Sequence, residues 1–305
     1  MTEDDKHVRY ETPAPHVARI VMARPEARNA QAMQMTYELN ASFDRAAHDD
    51  DVKVILLAGD GPHFSSGHDL SGDSGKTWRD FPVVGTWAGF DAPGAEARYG
   101  REMEIYLELC ERWRNLPKPT IAEVQGVCVA GGVMLAWVCD IIIAADNARF
   151  KDPTVDFGLC GVEFPAHAWE LGTRKAKEWL FTADWIAAEE ARERGMVNRV
   201  VPAESLAAEA LELAKRIATK SSFALKMTKA ALNHAQDCQG RRNSMMYTYA
   251  LHQLGHAHNE QVWGAHLDPN GMPPAVRDKF LERIARRKNA SSEEHTRANP
   301  AFKER

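Results

Sequence analysis

Phe64-Ser65-Ser66-Gly67-His68-Asp69-Leu70, after the apolar run Val52 to Ala58, and Ala130-Gly131-Gly132, after Thr120 to Val129, decide how this chain reads. Each places small residues where a strand gives way to a helix. The first N–H groups of a helix have no partner inside it, so at such a corner they are free to point at an outside acceptor. Two corners aimed at one oxygen atom make an oxyanion hole.

Around these corners, strand and helix signals alternate. Val17 to Met22, Val52 to Ala58, Thr120 to Val124 and Ile141 to Ala145 are short, apolar, β-branched runs suited to buried strands. Helical spacing appears over Ala32 to His48, Tyr99 to Asn115, Gly132 to Val138, Arg174 to Thr182, Ala187 to Glu193 and Leu206 to Ile217, and the chain from Ser221 onward is helical. The alternation implies an α/β core. The expected organisation is an N-terminal tail over 1–16, a core over 17–220, a helical region over 221–288 and a polar tail over 289–305. Residues 71–98 break the periodicity and read as a mobile insertion. Trp78, Phe81, Trp87 and Phe90 in it would either wall a ligand pocket beside the first corner or belong to a surface loop. Gly75-Lys76-Thr77 has the ending of a phosphate loop, but Leu70 stands where the upstream glycine is required, which excludes nucleoside triphosphate binding.

The quoted corners resemble the crotonase superfamily, the enoyl-CoA hydratase/isomerase family. The resemblance runs from about Ala18 to Ala250 through Arg24-Pro25, Asn29-Ala30 and Met33, then FSSGHDL, KPTIAEVQG, AGGVMLAWVCDIIIAADNARF, DFGL and TADWIAAEEARERGMVNRVV. It implies a spiral of ββα turns with a C-terminal helical appendage that builds a homo-oligomer, a trimer or a dimer of trimers. It also implies an acyl-CoA thioester whose carbonyl oxygen is held by the N–H groups of His68 and Gly131, with Ser66, Asp69, Leu70, Met134 and Thr154 around the substrate. Coenzyme A enters as part of the substrate, so no separate cofactor is expected. Arg28, Lys226 and Lys229 are candidates for its phosphates, each with an ordinary surface charge as the alternative.

Family hydratases carry one glutamate just after the second glycine turn and another after the next strand, in a phrase resembling QPE. Here those positions are Met134 and Thr154. Adding water to a 2-enoyl double bond needs a base and an acid, and neither a thioether nor an unassisted hydroxyl serves. Other superfamily members place an acid further along, where this chain has Glu163 between Val162 and Phe164. Desolvation there would raise its pKa and suit it to shuttle a proton; the alternative is a helix cap or a solvated side chain. Asp156 is a weaker candidate, since Asp before a Phe-Gly turn commonly bonds nearby N–H groups. Asp69 is expected to cap the helix after the first turn, while His167 and the His68 imidazole are possible pocket groups. His252 and His256 stand one helical turn apart, but no nearby carboxylate or thiol in sequence completes a metal site, so none is expected.

Composition sets outer bounds. The 305 residues, 44% hydrophobic and 27% charged, suffice for one large domain. A net charge of -5 gives no support for nucleic-acid binding. Five cysteines, odd in number and mostly among apolar residues, favour reduced thiols in a cytoplasmic protein. The polar start MTEDDKH has no signal-peptide pattern, and Asp140 interrupts the longest apolar run, so no membrane span is expected. Two functions follow: an enzyme that stabilises a thioester enolate, or a catalytically silent acyl-CoA-binding oligomer.

Overall fold

Runs of Val, Ile, Leu and Ala build two sheets in the computed structural model, which describes residues 6–70, 76–274 and 276–286. The strands are β1 (Val8–Ala14), β2 (Val17–Met22), β3 (Val54–Gly59), β4 (Thr120–Val124), β5 (Val127–Val129), β6 (Ile141–Ala145), β7 (Arg149–Lys151), β8 (Ile186–Ala187) and β9 (Arg199–Val201). The larger sheet has the order β1-β2-β3-β4-β6-β9 and the smaller β5-β7-β8. Only β1 runs antiparallel in the larger sheet, pairing Val8 with Met22 and Tyr10 with Ile20. Residues 8–14 of the expected N-terminal tail are therefore a strand. Its alternation of polar and apolar side chains suits an edge strand buried on one face.

The chain passes from β4 in the large sheet to β5 in the small one, then into helix α4 (Gly131–Trp137), and repeats the step with β6 and β7. This winding is the ββα spiral. Side chains alternate across it with the two-residue period of a strand. Ile55 and Leu57 of β3 enter the large core with Ile20, Phe43, Phe64 and Trp113. Val54 and Leu56 face the other way and pack with Val17, Ile121 and Ile143 against Leu206, Ala210 and Leu213 of a helix spanning Leu206–Ala218. Each such buried aliphatic side chain contributes about 1.5–3 kcal/mol relative to exposure.

Helices α1 (Met33–His48), α2 (Ala95–Glu102) and α3 (Leu109–Arg114) cover the large core, and α2 and α3 are joined by a π-helical stretch, Met103–Glu108. The helical reading of Tyr99 to Asn115 thus holds, with a start four residues earlier and a wider turn inside it. π-Segments are uncommon and occur frequently at functional sites. After α4 come α5 (His167–Leu171), α6 (Thr173–Thr182), α7 (Ala188–Glu193), α8 (Leu206–Ala218), α9 (Ser222–Cys238) and α10 (Arg241–Trp263). The last two form the C-terminal helical region and leave Phe223, Leu232, Tyr247 and Leu254 exposed.

Within the insertion, residues 71–75 lie outside the described residues. Of the rest, Arg98 alone is among the residues that line the cleft described below. Phe81 stacks on Tyr37 of α1 with ring centroids 5.0 Å apart, Trp87 meets Tyr99, and Trp78 meets a buried Phe90. Of the two alternatives, these four aromatics do not wall the cleft: Phe81 and Trp87 pack on rings of α1 and α2, and Trp78 and Phe90 on each other. The expected tail over 289–305 also lies outside the described residues.

Candidate active site

The two glycine corners adjoin. Gly67 has a φ of 88°, and a Cβ there would stand 2.6 Å from the Val129 carbonyl oxygen and 3.2 Å from the Gly131 nitrogen. Only glycine meets both demands. Gln31 ties the corners to each other: its N–H donates to the Gly67 oxygen at 2.8 Å, its carbonyl accepts from the Asp69 N–H, and its side-chain amide donates to the Gly131 oxygen at 2.8 Å. Ala130, at φ 47° and ψ -114°, makes the kink from which α4 starts. An alanine held there is strained, and strain of this kind clusters at functional sites. Among the described residues, the N–H groups of His68 and Gly131 donate to no protein acceptor.

Beside the corners lies a cleft of about 520 Å³, lined by Ser66, His68, Asp69, Leu70, Tyr106, Thr154 and Glu163, with Glu102, His252 and His256 in its wall. Glu163 is 5% exposed. Its Oε1 lies 3.7 Å from Nδ1 of His68 and 3.5 Å from Nε2 of His252, while its Oε2 has no hydrogen-bond partner. Burial pushes this carboxyl upward, yet the neighbouring His68 and His252 outweigh it and hold the pKa at about 2. Sequence reasoning expected the opposite direction. Val162 and Phe164 do bury the group, but the decisive neighbours come from elsewhere in the chain. His252, in turn, is pushed up to about 9, because Glu163 and Glu102 overcome its burial. Glu102 is also held low: burial raises it, and the hydrogen bond and charge of His256 lower it further than burial lifts it.

The remaining expectations divide. Ser66, Asp69, Leu70 and Thr154 line the cleft as anticipated. Thr154 gives its hydroxyl to Asp152 at 2.6 Å, and the same carboxylate meets His167 Nε2 at 2.6 Å. His167 is thus part of a buried structural pair. Met134 is sealed in the core, 1% exposed, and does not line the cleft. Asp156 also lies outside the lining. Asp69 forms an ion pair with Arg24 at 2.9 Å, which closes the first corner onto the start of the chain's first strand-to-helix turn; the N–H groups that the expected helix cap would serve belong to residues 71–75, outside the described residues. Arg28 is exposed at a turn with φ 52°. Lys229 is buried, pairs with Asp140 at 2.8 Å and donates to the Lys118 carbonyl, so it joins α9 to the core rather than meeting a phosphate. Lys226 lines a different, shallow cleft.

Gln31, Glu102 and Tyr106 were not singled out from the sequence. Tyr106 stacks on the His68 ring at 4.0 Å and is partly buried near Glu163. Tyr106 lies in the π-stretch and Glu102 just before it, at the end of α2, and helical periodicity does not reveal the widened turn. The expectation that no carboxylate accompanies His252 and His256 is likewise corrected: Glu102 and Glu163 arrive from distant elements.

Comparison with known proteins agrees with this architecture. The family described as Enoyl-CoA hydratase/isomerase matches residues 13–81 and 88–265. The Mycobacterium tuberculosis protein named "Putative enoyl-CoA hydratase EchA13" is 40% identical over 269 residues, covering 86% of this chain and 84% of that protein. A crystal structure of a probable enoyl-CoA hydratase from Mycobacterium thermoresistibile superposes with a TM-score of 0.78 at 44% identity, over 86% of this chain and 99% of that one. An enoyl-CoA hydratase/isomerase from Xanthobacter autotrophicus Py2 gives a TM-score of 0.72 at 32% identity, over 92% and 98%.

Proposed function

This chain belongs to the enoyl-CoA hydratase/isomerase family, and we propose that it acts on an acyl-CoA thioester by stabilising an enolate in the cleft beside the two glycine corners. The observation that carries the reading is the pair of free N–H groups on His68 and Gly131, held together by Gln31 next to a buried carboxylate with one free oxygen. The thioester carbonyl oxygen accepts both N–H bonds. Donors fixed in advance at the place where negative charge develops lower the barrier without reorganising.

Glu163 then moves the proton at carbon. Its Oε2 is buried and has no hydrogen-bond partner, and Oε1 lies between His68 and His252. At neutral pH it is ionised and His252 is charged. Removal of a proton from the α or γ carbon leaves that proton on Glu163, with the enolate oxygen facing the two N–H groups. Return of the proton to the other carbon completes an isomerisation. Met134 and Thr154 take no part, the first for want of an ionisable group in the core and the second because Asp152 occupies its hydroxyl. That same pair of losses supports a second reading, a silent acyl-CoA-binding oligomer. Deuterium exchange at the α carbon of a saturated and a 2-unsaturated acyl-CoA separates them. Exchange by the wild type that disappears in Glu163→Gln supports the enzyme; no exchange while the acyl-CoA still binds removes it.

Oligomerisation is part of the proposal. Phe223, Leu232, Tyr247 and Leu254 leave large apolar side chains open to solvent on α9 and α10, and contiguous exposed apolar surface marks an association face. A trimer or a dimer of trimers is the expected state, read by light scattering on the purified chain. No helix among the described residues is long and apolar enough to cross a membrane. The thiols of Cys110, Cys128, Cys139, Cys160 and Cys238 are all free, which favours a reducing compartment such as the cytoplasm.

A further inference from the structure

Four side chains from three parts of the chain bring their polar atoms to one point. His252 and His256, one turn apart on α10, have Nε2 atoms 3.0 Å from each other. Glu163 Oε1 lies 3.5 Å from the first, and Glu102 Oε2 lies 3.5 Å from the second. One ligand atom from each of the four falls within 4.8 Å of all the others.

The other ring nitrogens fix the tautomers. His252 Nδ1 is 2.6 Å from the Gly161 carbonyl oxygen, and His256 Nδ1 is 2.7 Å from that of His266. A carbonyl oxygen only accepts, so each Nδ1 carries its ring's proton. When both rings are neutral, as they must be to ligate an ion, each therefore turns an Nε2 lone pair toward the other, with two carboxylates alongside. Gln253 donates to Glu102 Oε2 at 2.6 Å. Converging lone pairs with two formal negative charges, buried, are costly unless a cation sits among them.

We propose that Glu102, Glu163, His252 and His256 form a binding site for a divalent transition-metal ion of the zinc class. Ligand atoms about 2.0–2.2 Å from a tetrahedral ion stand roughly 3.3–3.6 Å apart, close to the separations of 3.0, 3.5 and 3.5 Å here. Histidines that bind metal donate their second N–H to a carbonyl or carboxylate, as both do here. A charge of +2 balances the two carboxylates, whereas one proton shared by the rings leaves the cluster negative. Mixed imidazole and carboxylate donors suit this class of ion. The inference deepens the acyl-CoA reading, since Glu163 belongs to both: the ion takes the Oε1 side and leaves Oε2, which has no hydrogen-bond partner, for the proton.

Cobalt(II) is the probe, because a tetrahedral site gives it strong visible d–d absorption. The full chain, stripped with chelator and dialysed, is titrated with cobalt and then back-titrated with zinc. The expected result is a saturable band that stops at a single ion per chain and is bleached by zinc. His256→Ala and Glu102→Gln should each weaken binding more than about 100-fold, since even disturbing a partner behind a ligand costs 10–100-fold. His258→Ala, an exposed neighbour, should leave the titration unchanged. Circular dichroism identifies any variant that fails to fold, and the wild-type titration decides the matter without it. A wild type with no band, or a band that survives both ligand substitutions in folded protein, overturns the site. Deuterium exchange by the chelated wild type in the absence of a band would leave the enzyme reading standing with a protonic cluster. A band without exchange on any acyl-CoA would do the reverse.

Discussion

The glycine corners and the carboxylate–histidine cluster face one cleft but are made by opposite means. The corners are local: two short segments set backbone N–H groups by their own conformation, and Gln31 needs only three hydrogen bonds to join them. The cluster is assembled from side chains on the end of α2, a loop and α10, with Glu102 and its partner Gln253 separated by 151 positions. A backbone site tolerates most side-chain change provided its glycines stay. A side-chain site depends on every element keeping its place. Under the proposed reading, the difference accounts for a chain with Met134 and Thr154 at the positions expected for the two family glutamates, whose corners nonetheless adjoin and whose cleft is lined by another carboxylate, Glu163, from the following loop.

Substitution at each half tests the division. Glu163→Gln keeps the shape of the side chain and removes its proton affinity, so α-carbon exchange should fall by about 10²–10⁴, the range of a lost general base. Retention of wild-type exchange would move the chemistry to another group and break the comparison. Gly67→Ala attacks the other half. The new methyl would stand 2.6 Å from a backbone oxygen at a φ of 88°, so the corners must separate. Loss of an oxyanion donor costs about 10²–10³, and exchange should drop by that amount with acyl-CoA affinity changing less. Equal losses in affinity and exchange would show that the corners bind the ground state as tightly as the enolate.

The same division sets what the sequence could tell. Strands and most helices were legible because their patterns are local: Val17–Met22 and Thr120–Val124 match the apolar runs residue for residue. The glycine corners were legible for the same reason. Glu163 was found, but its electrostatics were read with the wrong sign, because adjacent Val162 and Phe164 are visible in sequence and His252 is not a neighbour there. Lys229 was misjudged in the same way, its partner Asp140 lying in another element. Glu102 and Tyr106 were missed outright, since no one-dimensional pattern marks a π-stretch as a wall of the cleft.

A second buried glutamate sharpens the point. Glu123, 2% exposed in the centre of β4, meets Arg19 at 2.6 Å, yet burial dominates and pushes its pKa up to about 7 from 4.5. Glu163 has histidines around it and goes down; Glu123 has one partly exposed arginine and goes up. The folded state then binds a proton more tightly than the unfolded state. The resulting stability is fully present below about pH 4.5 and is lost as pH rises through about 7. At 1.36 kcal/mol for each pH decade the contribution is roughly 3 kcal/mol. Denaturant unfolding at pH 5 and pH 8 should show this change, and Glu123→Gln should flatten it. A wild type and variant with parallel pH profiles would mean that Arg19 keeps Glu123 ionised throughout.

The smallest expected effect lies where the first corner is fastened. Arg24 and Asp69 pair at 2.9 Å with side chains 17% and 12% exposed, and Arg24 also donates to the Ala30 carbonyl. The pair is neither solvated nor fully buried, so its loss falls between the two regimes, at about 1 kcal/mol. Asp69→Asn preserves size and leaves the Arg24 charge to its carbonyl partner. Thermal unfolding should therefore shift by only a few degrees. Exchange should respond more than stability, because Asp69 N–H bonds Gln31, the residue that joins the corners. If stability falls and exchange does not, the corners are held by backbone alone and the ion pair serves only the fold.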